Sequence, residues 1–346
     1  MKNITGSNTY YYNQLNKQQQ KVYYAIKAGL ESMVPSFPVP RLDGHELADI
    51  YFKVRLDSPH IFYSVSFKYR FYPDSENVEM IPEYLFQKSK LEEHKKAMDA
   101  RVKKLVRQAE SLSEKDKELF VHDFICENVR YDKLKKAYSH EIIGPLGQGV
   151  GVCEGIAKSV KILLDALGIW CIIVVSDNNP EKNIKYRHAW NIIRIGGSYY
   201  HLDATFDNTL SKKGPIRYDY VNLSDSQIFR DHEPVIWQVP TCSDGDHTYY
   251  REKKLSFTKL EDVRKRAAQA VKKKKPFLFH WRGGHLTREV LRELLRIFEE
   301  EAAKKEKYSY VSLNYQQAVL WVFFEEQKRQ QQVDVEEANE GESVAE

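Results

Sequence analysis

Sulfur is scarce in this chain. Its four cysteines in 346 residues (Cys126, Cys153, Cys171 and Cys242) are too few and too unevenly spaced for a disulfide framework. No CxxC pair supplies half of a zinc ribbon. Long apolar runs are also missing, since no stretch approaches the roughly 20 apolar residues that span a bilayer. The opening MKNITGSNTYYYNQLNKQQQ has no apolar core of a signal peptide, so the expectation is a soluble, cytoplasmic chain. Charge of one sign does not dominate either: 53 basic residues meet 49 acidic ones, a formal net charge of +4. That balance makes no case for nucleic acid or a membrane surface as the main partner. The run Lys272 to Lys275 is a local exception, and it closes a predicted helix, where cations suit the dipole. There is no internal repeat, and nothing in the pattern speaks to oligomeric state.

What is present is organised in blocks. Asn16 with Gln19 reads as a capping box, followed by Val22, Tyr23, Ile26 and Leu30 at helical spacing, and Pro35, Pro38 and Pro40 end that helix. From Ile61 to Phe71 alternate residues are apolar, predicting a half-buried strand, and PDSEN turns into a second at VEMIPEYLF. Residues 1–85 are thus expected to form an N-terminal α+β unit. Residues 86–250 form the central domain, led by a charged helix and by a second helix opened by Ser113 and Asp116. Cys126 lies inside that second helix and reads as a small core residue. Residues 251–328 predict a C-terminal α/β unit in which Thr258 and Glu261 cap a helix. The tail 329–346 lacks any apolar pattern and is expected to be disordered.

The stretch GVGVCEGIAKSVKILLDALGI places Cys153 in the first turn of an amphipathic helix. Ile156, Ala157, Val160, Leu163, Leu164 and Leu167 make its apolar stripe, with Lys158, Lys161 and Asp165 on the wet face. Unpaired N–H groups and the helix dipole lower a thiol's pKa there, which favours a nucleophile. Gly149, Gly151 and Gly155 would let a substrate backbone approach the sulfur.

A base is offered by YRHAWNIIRIGGSYYHLDATFD, where Gly196-Gly197 signals a two-residue hairpin turn. With Ile195 opposite Ser198, His188 would pair with Thr205 and Trp190 with Asp203, and all four would share one face. Asp203 would then orient His188, giving nucleophile, base and acid. A slip of register would substitute Asp207. His201 shares the Asp203 face, and with Cys153 and His188 it makes a zinc site only on paper, lacking the short spacings of zinc motifs.

GVCEGIAKSVKILLDALGI followed by RHAWNIIRIGGSYYHLDATFD resembles the transglutaminase-like superfamily over roughly residues 113–210. YDYVNLSDSQIFRDH is similar to the trailing part of bacterial members, whereas Ile156 departs from the aromatic residue many of them carry. The resemblance implies an α+β, papain-like core, a nucleophile helix packed on an antiparallel sheet; the smaller α/β units at both ends rest on the residue pattern and lie outside the resemblance. It implies a catalytic triad of Cys153, His188 and Asp203, with Gln148 as a candidate oxyanion donor and Trp190 as a candidate lining of the cleft. It further implies acyl transfer on protein or peptide amides through a thioester, without a cofactor or metal. Hydrolysis by a cysteine peptidase is the first expectation. Glutamine–lysine cross-linking and a non-catalytic binding module are the alternatives.

Overall fold

The computed structural model describes residues 9–327, so the tail reading at 329–346 lies outside the described residues. Helix α1 (Lys17–Ser32) starts at Asn16, whose side chain and that of Gln19 complete the capping box. The proline-rich segment behind it does more than stop a helix. Phe37–Pro40 is strand β1, an edge position that tolerates missing N–H donors. Helix α2 (Gly44–Asp57), which the apolar pattern did not announce, is capped by Asp43 and buries Leu47, Ile50 and Val54. Strands β2 (Ser64–Arg70) and β3 (Asn77–Tyr84) complete a sheet of order β1-β3-β2. The long alternation from Ile61 to Phe71 does not survive as one strand. Ile61, Phe62 and Tyr63 are all buried ahead of it, and a bulge between Ser64 and Ser66 shifts the register. At the far end Tyr69 and Phe71 are exposed.

Helices α3 (Lys88–Ala109) and α4 (Glu114–Asn128) follow, the latter capped by Ser113. Two short strands, β4 (Arg130–Tyr131) and β5 (Val150–Gly151), pair in parallel and tie the end of α4 to the chain just before Cys153. Helix α5 (Cys153–Ala166) packs on β6 (Cys171–Ser176) and β7 (His188–Ile195). Strand β8 (Ser198–Leu202), helix α6 (Ala204–Leu210) and β9 (Val221–Leu223) follow, and the antiparallel sheet runs β6-β7-β8-β9. One apolar cluster reaches from Leu15 through Val102, Leu163 and Ile193 to Val221, so the N-terminal helices share a core with α5. The architecture is α+β.

Short helices α7 (Asp225–Ile228) and α8 (Tyr249–Glu252) lead to a second four-stranded sheet. Its elements are β10 (Ser256–Phe257), α9 (Leu260–Lys273), β11 (Phe277–Trp281), α10 (Arg288–Ala303), β12 (Tyr308–Asn314) and β13 (Val319–Glu325), with strand order β10-β11-β13-β12. This unit has its own core around Phe279, Leu294, Phe298 and Leu320. Thr258 does not cap α9; the N-cap is Lys259, without a side-chain hydrogen bond. No described helix is long and apolar enough to cross a membrane.

Candidate active site

Cys153 is the first residue of α5 and is 8% exposed. Val152 precedes it in extended conformation and gives no side-chain cap, so no side chain of the N-cap competes for the amide end where a thiolate gains most. The glycines around it serve the chain itself more than a substrate. A Cβ on Gly155 would lie 2.1 Å from the Ser139 carbonyl oxygen, so the first turn of α5 packs against backbone there. Gly149 adopts a left-handed φ of 65°, which turns the chain into β5.

The wet face assigned to α5 is also corrected. Lys158 and Lys161 are buried. Lys158 pairs with Glu141 at 2.8 Å and Glu154 at 2.7 Å, and Arg55 of α2 pairs with both carboxylates. Lys161 binds Asp165 and the Cys171 carbonyl, each at 2.8 Å. Long basic side chains occur in the interior when paired in this way, and neither Glu141 beside Lys158 nor the Cys171 carbonyl beside Lys161 is visible in helical periodicity.

The hairpin keeps the expected register from Ile195–Ser198 to Asn191–Leu202, and there the ladder stops. The expected pairs His188–Thr205 and Trp190–Asp203 do not form, because residues 204–210 coil into α6. The reason is local. The Asp203 Oδ1 accepts the Thr205 and Phe206 N–H groups at 2.8 and 3.1 Å, a helix N-cap. His188 is instead opposite Ser176 on β6. Asp203 still meets it, with 2.6 Å between His188 Nε2 and Asp203 Oδ2. Burial acts to raise the Asp203 carboxyl, but the charges and hydrogen bonds of His188 and His232 outweigh it and hold it well below the usual carboxylate range.

On the α5 side of the sheet, Cys153 belongs to an apolar cluster with Tyr11, Leu56, Ala157, Ile173, Val175 and Ala189, the neighbour of His188. The N-terminal unit therefore builds part of that cluster. Tyr11 donates to the Ile173 carbonyl at 2.6 Å, and Trp237 packs on Tyr11 and donates to Asp49 at 3.1 Å. Trp190 is fully buried rather than lining an open cleft. It stacks beside His188 with ring centroids 5.6 Å apart and donates to His201 Nδ1 at 2.9 Å. Gln148 ends a π-helical turn (Ile143–Gln148) with its side chain exposed, in contrast to the buried Cys153.

His201 belongs to another group, with Asp225 2.8 Å from its Nε2 and Cys242 nearby. Because Nδ1 accepts from Trp190, Nε2 carries the ring proton and gives it to Asp225. A metal on Nε2 would require a proton on Nδ1, facing the indole N–H, so this donor set does not suit an ion. Asp207 is likewise elsewhere. It accepts from His122 at 3.1 Å and from the Asp219 and Tyr220 N–H groups at 2.8 and 3.1 Å. Cys126 lies 3.7 Å from the same His122 Nε2. That nitrogen faces both Cys126 and Asp207, so it cannot relay a proton as a triad histidine does, and burial raises the Cys126 thiol.

Two residues escaped the sequence reading. Asn191, the last letter of HAWN, donates to the carbonyls of Ala157 at 3.0 Å and Ile172 at 3.2 Å, pinning α5 to β7 one turn beyond Cys153. Its signal was an amide in an otherwise apolar strand. His232, in IFRDH, is completely buried with its Nε2 2.9 Å from Asp203 Oδ2. A histidine after a loop aspartate carries no such signal by itself.

A helix that opens with cysteine is thus laid on an antiparallel sheet whose strand ends bring histidine to aspartate. Residues 99–204 match the model of the transglutaminase-like superfamily. No curated protein matches the chain. Among solved structures, one described as a TGase is 13% identical, with 41% of this chain and 44% of that one covered and a TM-score of 0.27. A putative cysteine protease from Cytophaga hutchinsonii is 14% identical, with 40% and 61% covered and a TM-score of 0.25. The chain thus spans less than two thirds of either structure.

Proposed function

We propose that the protein is a thiol-dependent acyl-transfer enzyme acting on protein or peptide amides, with hydrolysis as its main outcome. The observation that carries this reading is the 2.6 Å contact of His188 with Asp203 at the end of the sheet on which the Cys153 helix packs. In this mechanism Asp203, ionised and buried, holds the Nε2 proton of His188 and leaves Nδ1 to exchange a proton with the thiol. The Cys153 thiolate attacks the amide carbonyl, forming a C–S bond. The amine leaves with the proton from His188, and a thioester remains. Water, deprotonated by His188, then releases the acid and restores the thiol. The Cys153 N–H is the candidate oxyanion donor, and Gln148, exposed, would have to swing inward to assist.

Replacement of water by a lysine amine would give a cross-link by the same steps. Hydrolysis is taken as the first outcome because Cys153 is only 8% exposed, and a water molecule reaches an acyl group on a little-exposed sulfur more readily than a second side chain does. Incubation of purified protein with a cell extract, followed by mass spectrometry, tests the reading. New N-termini that disappear with Cys153→Ala support hydrolysis, and new isopeptides support cross-linking. Neither product, from folded protein, would leave the binding-module alternative.

A further inference from the structure

Asp203 carries two histidines, and only one of them belongs to the proposed triad. His232 Nε2 lies 2.9 Å from Asp203 Oδ2, and its Nδ1 lies 2.8 Å from Asp231 Oδ1. Both partners are carboxylates, which only accept when ionised, so each ring nitrogen has to donate. An imidazole that donates from both nitrogens is an imidazolium. His232 is sealed from water, between Trp190, Phe206 and Tyr220. Asp231 is held in turn, since its Oδ2 accepts from the Tyr220 hydroxyl at 2.7 Å and from the Gln317 amide at 3.1 Å. Gln317 lies in the turn between β12 and β13, so the C-terminal unit braces this chain of groups.

We propose that His232 is a positioning residue for the triad: a fixed imidazolium, clamped between Asp231 and Asp203, that orients Asp203 and sets the pH range of the Cys153–His188 pair. The proposal rests on the reading of Cys153, His188 and Asp203 as a triad. The charged or titratable groups facing His232 are Asp203, Asp231, His188 at a ring distance of 5.2 Å, Tyr220 at 5.5 Å, and His201, whose charged form it disfavours. Burial works against the charge on His232, and the hydrogen bonds to Asp203 and Asp231 overcome it, leaving its pKa raised.

The cation has two consequences. It keeps Asp203 ionised at low pH, and it offsets part of the Asp203 charge that His188 feels. A triad without it would hold the His188 proton more tightly and ionise Cys153 less readily. His232→Gln keeps a donor toward Asp203 and removes the charge. Its effect is expected as an upward displacement of both limbs of the pH profile by about one to two units, given the ring spacing of 5.2 Å.

Two measurements on the full-length protein test this. Imidazole nitrogen NMR near neutral pH is expected to find both nitrogens of His232 protonated. A neutral His232 ring would overturn the proposal whatever the activity. The pH dependence of Cys153 alkylation by iodoacetamide is then compared between wild type and His232→Gln. Midpoints displaced upward support the proposal. A uniformly slower reaction with unmoved midpoints means that His232 is only structural and overturns it. An unreactive Cys153 in the wild type would refute the enzyme reading, while the NMR result would still decide the charge on His232.

Discussion

Asp203→Asn separates the two jobs of this carboxylate. Its Oδ1 caps α6 and its Oδ2 faces His188 and His232. Asparagine caps helices about as well as aspartate, so α6 should keep its start, while losing the buried charge that faces two imidazoles should lower stability by about 3 kcal/mol or less, since His232 can give up its proton. On the other side an NH2 group replaces Oδ2, and its two protons point at the two imidazoles. Each ring can answer only by presenting a lone pair at Nε2. His188 then carries its proton on Nδ1, the tautomer that cannot accept one from the thiol.

The charge lost matters as well. For charge centres about 4 Å apart at an effective dielectric constant of about 20, the attraction to the imidazolium of His188 is about 4 kcal/mol. That is about a thousandfold in rate if expressed fully. The neighbouring His232 offsets part of it, so the expected loss is about ten- to a thousandfold. The assay is the rate of Cys153 alkylation across pH, with hydrolysis of the substrate found by mass spectrometry and a urea titration of each variant. Wild-type alkylation and turnover in a folded Asp203→Asn protein would refute the triad. Loss of folding without loss of specific reactivity would mean that Asp203 is only a cap.

Asp207→Asn is expected to do the opposite, lowering stability because it strands donors of Tyr220 or Asp219, while reactivity per folded molecule stays near wild type. Brief iodoacetamide treatment and mass mapping should label Cys153 first, since burial raises the thiols of Cys126, Cys171 and Cys242; preferential labelling of any of these contradicts the assignment. Asn191→Ala should cost about 1–3 kcal/mol in urea unfolding by leaving the Ala157 and Ile172 carbonyls without its amide. Glu118 is completely buried, and burial pushes its carboxyl up to about 7. A folded pKa above the unfolded one means stability that is full below about pH 4.5 and lost as the pH rises through 7. Glu118→Gln should therefore gain on wild type at alkaline pH, by up to about 3 kcal/mol, with the difference shrinking in acid; an equal difference at both pH values would contradict the burial cost.

The sequence by itself determined those features that local chemistry enforces. The capping residues Asn16 and Ser113, the helix behind Cys153 and the Gly196-Gly197 turn all follow from short-range hydrogen bonding and periodicity, and each forms where the pattern puts it. The meeting of His188 with Asp203 was legible too, although by a route that the strand period did not predict, since the backbone left the sheet at Asp203 to be capped by its own carboxylate. Tertiary structure alone decided the rest. The burial of Lys158 and Lys161 depends on Glu141 and on the Cys171 carbonyl, which packing brings to them. The apolar cluster that holds Cys153 takes Tyr11 and Leu56 from the N-terminal part of the chain. His232, joined to Asp203 across 29 positions, has no periodic signature. Period and capping report on neighbours in the chain, whereas the charge state and enclosure of a site are set by groups that only folding brings within hydrogen-bond reach.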